Sequence, residues 1–217
     1  MNGSFENFFN NIMTLQDDDS KNIRLYESLL SQHGDSFKSL NWGSRESQIR
    51  RFEVLAEVGI KSGDSVLDVG CGLADLYGWL RSNEQDVLYT GIDITPGMVK
   101  KAKQKYTGIE LIAGNIFDVS FNRSSYDYVV ASGVFTYIES SSHFLINRFI
   151  ARMFDMSNKA IAFNALSSWA SIKDADEFYV DPLQTLDFCR NLTPWVTLRH
   201  DYHPRDFTIY MYKNRSL

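Results

Sequence analysis

Along the first sixty positions the apolar residues recur at helical spacing: Phe5, Phe8, Phe9 and Ile12, then Ile23, Leu25, Leu29 and Leu30, then Ile49, Phe52, Leu55 and Val58. The pattern predicts three helices. Asp17-Asp-Asp-Ser20 reads either as the cap of the second helix or as a solvated turn, and the stretch from Gly34 to Gly43 reads as a loop. Ser44, with Ser47 nearby, suits the start of the third helix and Gly59 its stop.

From Lys61-Ser-Gly-Asp64 onward the pattern changes to short apolar runs that alternate with helical stretches. Strands are predicted over 66–69, 87–92, 109–113, 126–131 and 160–165, and helices over 76–81, 97–106 and 144–154. Strands apolar on both faces and separated by helices imply a parallel, doubly wound α/β sheet. The end breaks the alternation, because 196–202 and 207–212 read as an antiparallel hairpin. Residues 1–60 are expected to form an N-terminal helical cap or lid of the same domain as the core, 61–217.

Composition narrows the class. A chain of 217 residues that is 44% hydrophobic can bury a real core, and its net charge of −5, with no dense Lys/Arg block, argues against nucleic acid or an anionic membrane as partner. Cys71 and Cys189 are too few for a metal cluster or a disulfide framework, and nothing in the spacing of the four histidines predicts a metal site. No leader or membrane span is recognisable, so a cytoplasmic protein is expected.

The chemistry starts at the first strand, which runs into Gly70-Cys71-Gly72-Leu73-Ala74-Asp75, small residues that let a ligand approach the backbone. In such a sheet the ligand lies at the carboxyl ends of the strands. The next strand ends in Gly91-Ile-Asp93, an acid about twenty positions on, as expected of a carboxylate that accepts from ribose hydroxyls. A nicotinamide site would want a third glycine where Asp75 stands. The charge of Asp75 would repel a pyrophosphate and suit a ligand with a sulfonium and an ammonium group.

Val66-Leu-Asp-Val-Gly-Cys-Gly72 with Gly91-Ile-Asp-Ile94 resembles the class I S-adenosylmethionine-dependent methyltransferases. The resemblance runs from about Ser44 to the final hairpin and implies a Rossmann-like, seven-stranded, mostly parallel sheet. It implies that Asp68, Gly70 and Gly72 line the methionine part of S-adenosyl-L-methionine, with Cys71 and Asp75 also among the cofactor-binding residues, that Asp93 holds the ribose, and that Ile94 and Met98 pack on the adenine. Gly114-Asn115-Ile116-Phe-Asp118 resembles the adenine-edge motif, with Asn115 in place of the usual Asp and its amide oxygen left to accept from the adenine amino group. Tyr126 to Gly133 resembles the strand and loop that close over the methyl donor, with Ala131, Ser132 and Gly133 beside it. Ala74 stands where the family often has a third glycine.

Acceptor contacts are expected from segments above the strand ends: Trp42 to Gln48, then Phe135, Tyr137, Glu139 and His143, then Asn164, Trp169, Phe178 and Tyr179, and the hairpin turn from Arg199 to Arg205. Tyr137 and His143 lead as base or orienting group. The 178–182, 198–202 and 206–210 segments resemble a stand-alone bacterial subgroup. The resulting expectation is methyl transfer to an O, N or C nucleophile of a small metabolite by a monomer or homodimer. The alternatives are a non-catalytic methyltransferase-like module that acts through a protein partner and an NAD(P)-dependent reductase.

Overall fold

The computed structural model describes residues 3–137 and 143–214, with residues 3–17 described as backbone only. Glu139 and the side chains of Phe5, Phe8, Phe9 and Ile12 lie outside the described residues. The described strands are β1 Ser65–Val69, β2 Leu88–Asp93, β3 Glu110–Ala113, β4 Tyr126–Ala131, β5 Ser157–Leu166, β6 Val196–Arg199 and β7 Asp206–Tyr212. The helices are α1 Gly3–His33, α2 Arg45–Ala56, α3 Asp75–Ser82, α4 Pro96–Lys105, α5 His143–Met156 and α6 Pro182–Leu192.

Successive strand residues point to opposite faces, and here both faces are apolar. Val66, Tyr89, Tyr128, Val130 and Ala162 pack with Leu55 of α2, Leu80 of α3 and Val99 of α4. Leu67, Val69, Val129, Ile161 and Phe163 pack with Ile146, Ile150 and Met153 of α5 and Cys189 of α6. Helices on both faces cover a sheet of order β3-β2-β1-β4-β5-β7-β6, parallel except at β7. The predicted α/β fold, with its seven strands and terminal hairpin, is the observed one. Between β2-β1 and β1-β4 the chain crosses over, and the loops after β1, β2 and β4 meet at the carboxyl edge.

Three elements differ from the sequence expectation. The first two predicted helices are one, α1, which runs through Asp17-Asp-Asp-Ser20 without a break. Asp18 is buried and Asp19 binds Asn115 of the core, so these polar residues serve contacts with the sheet edge and not a turn. Helix α6 has no counterpart in the prediction. Its start is marked by Asp181, whose carboxylate accepts from Gln184 N at 2.8 Å, and by Pro182 at the first helical position. The first hairpin strand is shorter than expected, ending at Arg199, because 200–205 form the connection, while the second spans Asp206–Tyr212.

Helix α2 starts where expected, with Ser44 Oγ accepting from Ser47 N at 3.1 Å, and Gly59 follows its end at φ +117°. Arg51 of α2 is ion-paired with Asp206 at the start of β7, and both side chains are buried. This ties the N-terminal helices to the last strand of the sheet.

Removing one partner of a buried pair strands the other charge. Arg51→Met is expected to lower the unfolding free energy by about 3–5 kcal/mol, read from urea denaturation, and adding Asp206→Asn should restore part of it. Loss below about 1 kcal/mol, the exposed-pair range, would contradict the burial of this charge.

Candidate active site

The turn after β1 is built around left-handed backbone. Gly70 (φ +73°), Gly72 (φ +52°) and Ala74 (φ +55°) all adopt it. A Cβ on Gly70 would lie 2.3 Å from Val134 Cγ1, so no side chain fits. Ala74 occupies a conformation that costs an L-residue about 1 kcal/mol, which is the physical reason a glycine suits that place. Gly70 N and Cys71 N donate to Ile92 O at 2.8 and 3.1 Å and lash the turn to β2. Gly91 lacks a side chain because Cys71 Sγ would lie 2.8 Å from its Cβ. Burial pushes the Cys71 thiol up, which leaves it protonated.

Three carboxylates surround this turn, and they differ in their partners. Asp75 is buried and paired with Lys105 Nζ at 2.7 Å and Arg45 Nη1 at 3.3 Å, and Gln48 Nε2 donates to it at 3.1 Å. Its charge is therefore satisfied within the protein, which corrects the expectation that Asp75 selects against a pyrophosphate. Asp93 Oδ2 accepts from Gly72 N and Oδ1 from Thr95 N, both at 2.8 Å. Asp68, 4% exposed, accepts from Tyr89 Oη at 2.6 Å. Neither has a cationic partner among the described residues. Burial pushes the Asp68 carboxyl up to about 7, with the Tyr89 hydroxyl opposing, and raises Asp93 as well.

These groups open into one cavity of about 350 Å³, within the range of small-molecule sites. Its walls include Asp68, Gly70, Cys71, Gly72, Asp75, Asp93, Ile94, Met98, Asn115, Ile116, Ser132, Gly133 and Tyr137. Ala131 is not on the wall, because it is enclosed within the sheet between Val69 and Phe163. His143 is also off the wall: at the start of α5 its ring lies edge-on to Phe178, 6.4 Å between centroids. Trp169 is half exposed and stacks on His200, away from the cavity.

Asn115 departs from its expected role. Its Oδ1 accepts from Phe117 N at 3.0 Å, and its amide donates to Asp19 Oδ2 at 2.6 Å. The amide oxygen expected to face a ligand is engaged in its own turn.

Of the hairpin turn expected to contact the acceptor, His203 and Arg205 line the wall. The wall also holds residues for which the sequence predicts no site role: Asp18, Asp19, Asn22 and Tyr26 of α1 on one side, and Arg51, Phe149 and Glu177 on another. The α1 set sits at helical spacing, but its partners lie about ninety residues away, a separation with no local signal. His203 stands in the hairpin turn, with Nδ1 accepting from Arg205 N at 3.2 Å and 3.3 Å from Asp206 Oδ2. Burial lowers its pKa, and Asp206 opposes. Tyr137 Oη accepts from Asn41 Nδ2, its backbone oxygen accepts from Asn22 Nδ2 at 3.0 Å, and burial raises its pKa. Gly133 (φ +74°) is packed by Trp42, 2.9 Å from where a Cβ would stand, and Asn164 holds the same loop through Gly133 N and Ser132 Oγ.

Comparison with known proteins places this cavity in context. The family described as "Methyltransferase domain" matches residues 66–158. A Mycobacterium tuberculosis protein assigned by name to the methyltransferases, Rv1506c, is 35% identical over 69% of this chain and 93% of its own length. A demethylmenaquinone methyltransferase of Oceanobacillus iheyensis is 29% identical, but the match covers 48% of this chain and 46% of that enzyme. Among solved structures, magnesium protoporphyrin IX methyltransferase of Synechocystis PCC 6803 with bound SAM superposes with a TM-score of 0.63 at 14% identity, covering 91% of this chain and 97% of that one. No helix among the described residues is long and apolar enough to cross a membrane.

The Asp68 carboxyl gives the site a pH signature. Its native pKa lies above its unfolded value, so between about 4 and 7 the native state holds the extra proton and stability falls as pH rises. Compared with Asp68→Asn, which cannot titrate, the wild type is expected to lose melting temperature across this window and to stay level above it. A pH-independent difference in melting temperature would contradict the buried, unpaired state of Asp68.

Proposed function

Because the chain belongs to the class I S-adenosylmethionine-dependent methyltransferases, we propose that it transfers a methyl group from S-adenosylmethionine to a small acceptor held at the aromatic end of its cavity. The observation that carries this reading is a pair of carboxylates, Asp68 buried and Asp93 half-buried, without cationic partners among the described residues and beside the Gly70 position that no side chain can fill. Such a place costs free energy until a positive ligand enters it. A pyrophosphate would meet the same two charges with repulsion.

When bound, the cofactor supplies a methyl group already activated by its sulfonium. The protein's own residues position, neutralise and exclude water. Asp68 faces the ammonium end; Asp93, with half its acceptor capacity spent on Gly72 and Thr95, has capacity left for the ribose hydroxyls. Ile94 and Met98 flank the base. The Ser132-Gly133 loop, fixed by Asn164 and covered by Trp42, borders the place of transfer.

Trp42, Phe135, Phe149, Leu145 and Leu166 give the acceptor end apolar walls, with Tyr137 and His203 as polar groups. This composition supports a small, partly apolar acceptor. Tyr137 is held protonated by burial, so it donates a hydrogen bond to the acceptor and orients it in place of acting as a base. His203, with Nδ1 engaged by Arg205 N, presents Nε2–H for the same purpose. His143 is given no part in the reaction.

Calorimetric titration with S-adenosylmethionine, S-adenosylhomocysteine and NADH is expected to show micromolar binding of the first two and none of the third. Asp93→Ala should weaken the first two at least about tenfold, the value of a hydrogen bond to a charged group. Binding of NADH alone would contradict the proposal. Tyr137→Phe is expected to lower turnover about tenfold with a found acceptor and to leave cofactor affinity within about twofold, within the weak limit of a neutral hydrogen bond. Unchanged turnover would remove the orienting role of Tyr137.

A further inference from the structure

The long N-terminal helix lies across the cavity and is held there by polar contacts at several levels. Asn22 Nδ2 donates to Tyr137 O at 3.0 Å, Glu27 Oε1 accepts from Gly97 N at 2.7 Å, and Asp35 pairs with Lys105 Nζ at 3.0 Å. Above these sits Asp19, whose Oδ2 accepts from Asn115 at 2.6 Å. Asp19 lines the same cavity as Asp93, Ile94, Met98 and Ile116, the residues about the base and ribose in the reading above.

The donor and acceptor inventory at this edge is unusual for a purine site. Asn115 Oδ1 already accepts from Phe117 N within its own turn, and the Asn115 amide donates to Asp19. Asp19 Oδ1, by contrast, takes no hydrogen bond among the described residues, and no cation is paired with Asp19 there. Burial raises the Asp19 pKa, with the Asn115 hydrogen bond opposing and Asp118 and Asp18 adding to the rise. A half-buried carboxylate with one oxygen spent and one open is a hydrogen-bond acceptor that looks for an N–H donor.

We propose that Asp19 of α1 supplies the hydrogen-bond acceptor that reads the 6-amino group of the cofactor's purine, with Asn115 as the residue that positions its carboxylate. The proposal rests on the cofactor reading of the preceding section. It makes the N-terminal helix a part of the cofactor site, so specificity for adenine over a 6-oxo purine is set from outside the residues matched by the methyltransferase family. A 6-oxo purine presents an oxygen in place of the amino donor, and Asp19 repels it.

The test is a comparison of S-adenosylhomocysteine with its deaminated 6-oxo counterpart, S-inosylhomocysteine, by calorimetry on the full chain. The wild type is expected to prefer the amino form at least about tenfold, the range of a hydrogen bond to a charged group. Asp19→Asn keeps the shape and the tie to Asn115 through its own carbonyl, and turns an amide N–H toward the ligand. The preference should fall at least tenfold or reverse, as that bond is lost or inverted. Asp19→Ala should lose affinity for the amino form alone. A residue that merely fastened α1 would lower both affinities together and leave their ratio unchanged, and that result in a folded Asp19→Asn protein overturns the proposal. Wild-type binding of neither thioether would overturn the cofactor reading and this proposal with it. Wild-type binding of both with equal affinity would overturn this proposal alone.

Discussion

The rest of the site depends on one carboxylate. Asp93 ends β2 and accepts from Gly72 N in the turn after β1 and from Thr95 N at the start of α4. Two backbone segments that would otherwise present unpaired N–H groups to the cavity are joined at one side chain. The turn can then hold left-handed residues at three alternate positions, Gly70, Gly72 and Ala74, and lead into α3 at Asp75. Because two fixed N–H donors constrain it, the Asp93 carboxylate stands pre-oriented at the cavity wall. A ligand with two neighbouring hydroxyls meets acceptors already in place, which lowers the ordering cost of binding.

Around this point the structure separates charges by whether they are neutralised. Asp75, the third acid of the turn, is closed off by Lys105, Arg45 and Gln48. Asp206, buried at the start of β7, is closed off by Arg51. Asp68 and Asp93 have no cationic partner among the described residues and open on the cavity. Lys105 connects the two themes, since it also holds Asp35 just beyond α1. The closure of the turn and the seating of the N-terminal helix share a side chain.

Much of the fold was legible because its strands are apolar on both faces and short, a pattern few other arrangements produce. The cavity wall was legible wherever it was local: the Gly70 turn, Asp93, the Ser132-Gly133 loop. What escaped was carried by long-range contact. Asp17 to Ser20 looks like a break in the helical pattern, and only the proximity of Asn115, 96 positions from Asp19, explains why it is not one. Asp75 looks like a free charge until Lys105 is seen beside it. His143 and His203 have equal claims as residues in a sequence, but the α5 start turns one toward Phe178 and the hairpin brings the other to the cavity wall. Helix α6 was signalled by Asp181-Pro182, although its apolar face is short and Leu183 points to solvent.

The measurement that bears most directly on this account is a crystal structure of the full chain with S-adenosylhomocysteine. The account predicts the ribose hydroxyls on Asp93, the amino-acid end beside Asp68 and the Gly70 turn, and the purine between Ile94 and Met98 beneath α1. A ligand seated elsewhere, or a purine directed away from α1 with Asp93 bound only to Gly72 and Thr95, would contradict it.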